Sequence, residues 1–306
     1  MTGRAPLLAA PITQMFSQAF EVRALVAGSA IAVAAGLVGY FLVLRNHVFT
    51  GDALSHVAFT GALAALAAGV DLRIGLFAGC VIFGVAMGAL GRDGRADDVV
   101  IGNVFAWVLG LGVFFLTLYT TGAGGGDGTA GVNVLFGSIY GLSAAQTAVA
   151  VAVAAGVVLA VVAAARPLLF ASVDPAVARA RGLPVGALGI AFLALVGVTA
   201  GEATQAVGAL LILGLLATPA AAASRLTPNP FRALALSAII ALVAVWGGLI
   251  ASYEASSLPP SFAILSITTA AYVLAAARSR RRPGPDAGST SRLRHRGGAT
   301  RPRRRR

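Results

Sequence analysis

Asp52 and His56 stand four residues apart in the run Gly51-Asp52-Ala53-Leu54-Ser55-His56-Val57-Ala58-Phe59-Thr60-Gly61. On a helix that spacing puts both side chains on one face, one turn apart. A carboxylate oxygen and an imidazole nitrogen so placed can bind a divalent transition metal. The run opens a long apolar stretch, and an ionisable residue inside a membrane segment is a functional candidate because lipid makes it costly. Two donors do not complete a coordination shell, which usually takes four or more. The rest must come from distant helices, from water or from a second copy of the chain. A plain structural reading stands beside this one. Gly51-Asp52 at the head of an apolar helix is also an N-cap signature, and His56 could donate to a neighbouring carbonyl.

Three further stretches carry polar or helix-breaking residues among apolar ones. In Ser172-Val173-Asp174-Pro175-Ala176-Val177-Ala178-Arg179-Ala180-Arg181-Gly182-Leu183-Pro184, Asp174 can cap a helix, Pro175 suits its first turn, and Gly182-Leu183-Pro184 ends it. Two turns of helix are marginal alone in water, so docking on a membrane surface or a soluble partner would steady them. In Val207–Ala223, Pro219 frees a backbone carbonyl and bends its helix, and Thr218 could satisfy that group or line a pathway. Gly208 and Gly214 allow close packing there. Ser252–Pro260 reads as a polar outside loop, with Glu254 there and Glu202 in another outside turn. Both glutamates suit solvation at the rim or salt bridges to a soluble partner.

The elements that must position these residues are membrane helices. Of 306 residues, 58% are hydrophobic and 11% charged, with a mean hydropathy of +0.87. Soluble domains hold roughly 25% charged residues, so the class is a polytopic all-α membrane protein. Its wealth of Ala, Gly and Val suits closely packed helices. The net charge of +12 is a tail property: 12 of the 23 Arg lie from Arg278 onward, against one acid there, Asp286. The remainder is nearly neutral and gives no sign of nucleic-acid binding.

Nine apolar stretches follow one another: 24–44, 53–70, 74–90, 99–119, 144–165, 185–200, 206–223, 233–251 and 258–277. Eight spans result if two of the shorter ones are half-helices. Residues 1–23 form an N-terminal interfacial segment without a cleavage signature. The glycine-rich Thr120–Gly131 is a flexible loop, and Val132–Leu142 reads as an interfacial or re-entrant helix. Residues 278–306 form a disordered tail, either bound to anionic lipid or simply a solubilising stop-transfer flank. Placing the tail in the cytoplasm puts eight Arg in inside segments (45, 92, 95, 166, 179, 181, 225, 232) and three outside (4, 23, 73). That asymmetry supports a cytoplasmic C-terminus and, with nine spans, an N-terminus outside.

Several chemistries are missing. There is no GxxxxGK[ST] and no Lys, so the chain carries no phosphate-binding loop for ATP. There is no HExxH, and the three His (47, 56, 295) support no Ser/His/Asp set. Cys80 stands alone, which excludes an intramolecular disulfide and a cysteine metal site.

The order of these pieces resembles the integral permeases of zinc, manganese and iron ABC importers, the ABC-3 family. The similarity rests on Phe41–Arg45 followed by Gly51-Asp52-Ala53-Leu54-Ser55-His56 and Gly61, on the short helix at Asp174–Pro184, and on Val207-Gly208-Ala209-Leu210-Leu211 through Thr218-Pro219-Ala220-Ala221. Leu135–Ser138 and Ser252-Tyr253 with Pro259 are weaker matches. The resemblance covers about residues 20–277.

It implies a permease domain over 24–277, an ABC importer permease of the metal-chelate type, in the inner or plasma membrane. It implies a homodimer with the path along its axis. A cytoplasmic ATPase dimer would dock on a coupling helix at about 172–184 through Asp174, Pro175, Ala178 and Gly182. An extracytoplasmic metal-binding protein would deliver the ion. Asp52 and His56 would contact zinc or manganese, with iron as a further candidate, in transit, while Gly208, Thr218 and Pro219 would belong to a translocation-path helix. No cofactor would be bound permanently; the metal is cargo. Protonating His56 would weaken the site, so transport should fall as pH drops through the histidine range. This chain departs from the pattern twice. Asn103, Phe105 and Trp107 stand where some zinc permeases carry another His, and Pro260 stands where a Gly is usual. A gradient-driven secondary metal transporter and a membrane-anchored scaffold with an Arg tail are the alternatives from other classes.

Overall fold

The computed structural model describes residues 17–121, 137–209, 212–255 and 257–280. Their helices are α1 (Ala19–Leu44), α2 (Val48–Ala67), α3 (Leu72–Leu90), α4 (Asp98–Thr121), α5 (Ala144–Val173), α6 (Pro175–Ala180), α7 (Val185–Val207), α8 (Ile212–Leu226), α9 (Pro230–Glu254) and α10 (Pro260–Arg280), with a 3-10 turn at Ile139–Gly141. Among the described residues there are no strands. The all-α expectation holds.

Seven of these helices are long and apolar enough to cross a membrane. The other two long ones are α2, which carries Asp52 and His56, and α8, which has 15 residues. Together they account for the nine apolar stretches. Helix α8 alone reaches only about 22 Å, less than a hydrocarbon core of about 30 Å. Irregular backbone at Gly208-Ala209 precedes it.

α1 runs through the middle of the bundle, packed on α5, α7, α8 and α9. On one flank α2, α3 and α4 pack together, with α3 also on α7; on the other flank lie α8, α9 and α10. Small residues set these distances. A Cβ at Gly39 of α1 would stand 1.9 Å from the Leu216 carbonyl oxygen of α8, so only glycine allows that crossing. Buried hydrogen bonds tie neighbouring helices: Ser237 Oγ donates to Gly36 O (2.7 Å), and Thr60 Oγ1 to Val108 O (3.0 Å).

Several boundaries differ from those read in the sequence. α1 begins at Ala19, so part of the 1–23 segment is its first turn. α5 continues through Arg166-Pro167 to Val173, about 45 Å in all, eight residues past the apolar stretch 144–165. Pro167 loses one helix hydrogen bond without ending the helix. α7 runs on to Val207, so Glu202 lies inside a helix and is buried, not in an outside turn. α10 extends to Arg280, into the expected tail. The remainder of the N-terminal segment, most of the glycine-rich loop, Val132–Phe136 of the expected re-entrant helix, and the tail from residue 281 lie outside the described residues.

Candidate functional site

α2 starts earlier than the apolar pattern suggested. His47 is its N-cap residue, so Asp52 falls in the second turn and does not cap. The capping alternative for Asp52 therefore fails. The corner before α2 is tight. Arg45 ends α1, Asn46 takes a left-handed conformation (φ 57°), and the N–H groups of Asn46 and His47 donate to Val43 O (3.2 Å) and Leu42 O (2.9 Å). This is the Schellman pattern, with Asn in the position that needs positive φ.

Asp52 and His56 are both half-buried and lie on one face of α2. That face meets α4. The His56 ring stands edge-on to Phe105, centroids 5.1 Å apart. Asp52 lines a cavity of about 360 Å³ with Phe49, Asp98, Ile101, Gly102 and Phe105. The Thr60–Val108 hydrogen bond, one turn past His56, holds α2 and α4 in register. Cys80 Sγ donates to Leu54 O (3.5 Å) and pins the opposite face of α2 to α3.

Among the described residues no group of three or more His, Cys, Asp or Glu side chains could hold a metal ion. The pair thus offers a carboxylate and an imidazole, with room for further donors in the cavity. Asp98, at the start of α4, is a cavity-lining carboxylate that the sequence reading missed. Its only signal was its place at the end of the polar run Gly91–Asp98.

His47, in the link between the first two apolar stretches, is 7% exposed. Burial, reinforced by Arg45 and Arg95, pushes its imidazole down to about 4, so it is neutral at physiological pH. The same burial, with Arg95, lowers the Arg45 guanidinium to about 10, which leaves it charged.

The short helix forms as its sequence suggests. Asp174 Oδ1 accepts from the N–H of Ala176 (3.1 Å) and Val177 (3.0 Å), and Pro175 takes the first helical position. Ala178 is fully buried against Ala171 and Val185. Gly182 has φ +81° and completes a second Schellman ending, with Leu183 N–H on Ala178 O (3.1 Å). The structure keeps these four residues apart from Asp52 and His56, at the end of the bundle where Arg45 and the 91–97 segment lie.

The third group is divided. Thr218 and Pro219 lie within α8, but Gly208 does not: it ends α7 with φ +94° and packs on Gly137. Gly208 thus packs closely, as expected, but it does so as the residue that ends α7. α8 does reach the site helix, through Leu216 beside Gly51. Thr218 is half-buried within α8. Glu202 is 5% exposed, and its Oε2 has no hydrogen-bond partner among the described residues.

Comparison with known proteins agrees with this architecture. The chain is 29% identical over 237 residues to the manganese transport system membrane protein MntC of Halalkalibacterium halodurans, covering 77% of this chain and 80% of that one. It is 28% identical over 244 residues to the chelated iron transport system membrane protein YfeD of Yersinia pestis, covering 79% and 80%. In fold it is similar to a chain of PsaBC from Streptococcus pneumoniae, solved in complex with Fab, with a TM-score of 0.74, 24% identity, and coverage of 86% of this chain and 95% of that one. The profile of the ABC 3 transport family matches residues 17–279, and the chain belongs to that family.

Proposed function

We propose that this multi-pass permease, a transport subunit and not an enzyme, carries divalent metal ions, with manganese or iron(II) ahead of zinc. One observation carries the reading: Asp52 and His56 share a half-buried face of α2 on a cavity bounded by α4, in a chain of the ABC 3 transport family. The relatives named for manganese and chelated iron support the choice of cargo. So does Phe105, which sets a hydrocarbon ring against His56 where a second imidazole would favour zinc.

A second copy of the chain supplies the missing donors, so that two carboxylates and two imidazoles meet across a dimer axis. A cytoplasmic ATPase dimer docks on α6, and hydrolysis there drives alternating access. An extracytoplasmic metal-binding protein delivers the ion. The Arg-rich end of the bundle faces the cytoplasm, and the tail beyond it meets lipid headgroups. Residues 24–277 act as the permease domain.

The test is uptake of labelled manganese(II), iron(II) and zinc(II) by cells carrying the permease operon, with the Asp52→Ala/His56→Ala double variant as control. Two lost ligands should lower uptake by at least about tenfold, each donor being a charge-assisted contact of about 1.5–3 kcal/mol. Equal uptake by both proteins would remove the site assignment. Uptake that survives ATP depletion would remove the ATPase.

A further inference from the structure

The corner that leads into the proposed metal helix and the last turn of α5, which leads into the proposed docking helix, are joined by a buried polar contact that neither role requires. Arg45, at the α1–α2 corner, is 5% exposed, and its Nε donates to Ser172 Oγ at 2.8 Å. The guanidinium lies 4.9 Å from the centroid of the Phe192 ring on α7. Ser172 Oγ in turn donates to Leu168 O, so its hydroxyl is held on the α5 backbone. Ser172 stands two residues before Asp174, the cap of α6.

A second arm reaches the same spot from the α3–α4 connection. There Asp93 (φ 58°) and Gly94 (φ 70°) form a two-residue turn closed by Arg95 N–H on Arg92 O (3.0 Å). Positive φ at both positions is the type I′ geometry, which favours Asp-Gly. A Cβ at Gly94 would stand 2.2 Å from Gly186 O, so the turn sits directly on the start of α7. The turn aims two side chains. Arg95 donates to the carbonyls of Ala171 and Ser172, both at 3.1 Å. Those carbonyls belong to the last turn of α5, where oxygens lack helical partners and cations are favoured. Asp93 pairs bidentately with Arg179 of α6, at 2.9 and 3.0 Å.

We propose that Arg45, Arg95 and Ser172 form a latch that transmits motion of α6 to both walls of the Asp52/His56 cavity. The geometry gives the route. Arg45 leads through a Schellman corner directly into α2, seven residues before Asp52 in its second turn. Arg95 leads into α4, whose first residue, Asp98, lines the cavity opposite Asp52. A shift of α6 therefore pulls on α2 and α4 together, at the ends nearest the ion. The buried arm carries most of the grip. The Asp93–Arg179 pair is 42% and 51% exposed, and exposed pairs contribute little. A buried hydrogen bond from a charged donor contributes more.

This inference rests on the ATPase docking at α6, and its test separates the two. The permease is purified with its co-expressed ATPase, reconstituted in liposomes, and assayed in parallel for ATP hydrolysis and manganese(II) uptake. Variants are Arg45→Gln, Arg95→Gln, Ser172→Ala and Ser172→Thr. A latch predicts that Arg45→Gln and Ser172→Ala keep hydrolysis while manganese moved per ATP falls about tenfold, the effect of one lost charge-assisted bond. Ser172→Thr, which keeps the hydroxyl, restores the ratio. A purely structural role would lower assembled complex, hydrolysis and uptake together and leave the ratio unchanged, which would overturn the latch. An unchanged ratio in well-assembled variants would overturn it as well. Failure of the wild-type permease to retain any ATPase would instead overturn the docking at α6.

Discussion

Phe105 decides how many nitrogen donors stand beside His56. Its ring meets the imidazole edge-on at 5.1 Å from α4. Replacement by His would put a second imidazole within reach of an ion held by Asp52 and His56. Nitrogen donors raise affinity for zinc more than for manganese, which favours oxygen. Phe105→Ala opens the same space without a donor and serves as the control. In the Phe105→His variant, competition of zinc(II) against labelled manganese(II) uptake should strengthen by about tenfold, the worth of one ligand at about 1.4 kcal/mol. A gain of equal size in Phe105→Ala would show that space, not the imidazole, sets selectivity. At this scale the sequence was informative for residues that act through spacing. Asp52 and His56 were visible four apart, and Asp174, Pro175 and Gly182 showed their capping roles in order. It was silent on residues whose roles depend on distant partners. Arg45 and Ser172 are 127 positions apart, and no local pattern links them.

Helices form from local periodicity and stop where backbone chemistry demands, and both effects show in the boundaries. The nine apolar stretches became helices, but polarity alone misplaced several ends. Arg166-Pro167 looked like the end of a span, yet α5 passes through it, because an Arg near a helix end can extend its charge to the interface. Glu202 looked like a turn residue, yet the real break is at Gly208, whose positive φ ends α7. The polar run Gly91–Asp98 looked like a loop, and its Asp-Gly pair was the one sign of the hairpin turn it forms. The crossing of α1 and α8 offers a test of how tightly these elements are fitted. Gly39→Ala drives a Cβ against the Leu216 backbone, which cannot swing aside as a side chain would. Overpacking of this kind costs about 1–3 kcal/mol. Gly182→Ala serves as contrast, since nothing lies within 4 Å of its Cβ and only the φ of +81° resists, at about 1–2 kcal/mol. In detergent, Gly39→Ala should lower the melting temperature and transport together, because α8 touches the site helix beside Gly51. Gly182→Ala should lower the melting temperature less. Equal stability of Gly39→Ala and the parent would mean that the two helices slide freely at this crossing.

Across the whole molecule, one end of the bundle collects the corner at Arg45, the turn at Arg92–Arg95, the helix α6, the α8–α9 link near Arg225, and the end of α10 at Arg280. The other end holds the links at 68–71, 137–143 and 208–209 and residues 255 and 257–259, with Arg23 and Arg73 the arginines near it. Positive residues favour the cytoplasmic side because translocating them is costly, so the first end should face the ATPase and the second the incoming metal. The same orientation puts α6 and the latch on the side where ATP is available. It also places Asp52, in the second turn of α2, toward the cytoplasmic half of the path, so an ion arriving from outside meets it late. Orientation can be read directly, because the only native cysteine will not interfere. Cys80 is fully buried between α2, α3 and α7 and is bonded to Leu54 O. A buried thiol away from water is inert to maleimides. Ser257→Cys, exposed at the second end, should label in intact cells with a membrane-impermeant maleimide. Arg92→Cys, exposed at the first end, should label only after the membrane is opened. The reverse pattern would put the Arg-rich end outside, and with it would go the docking of an ATPase on α6 and the direction of transport that follows from it.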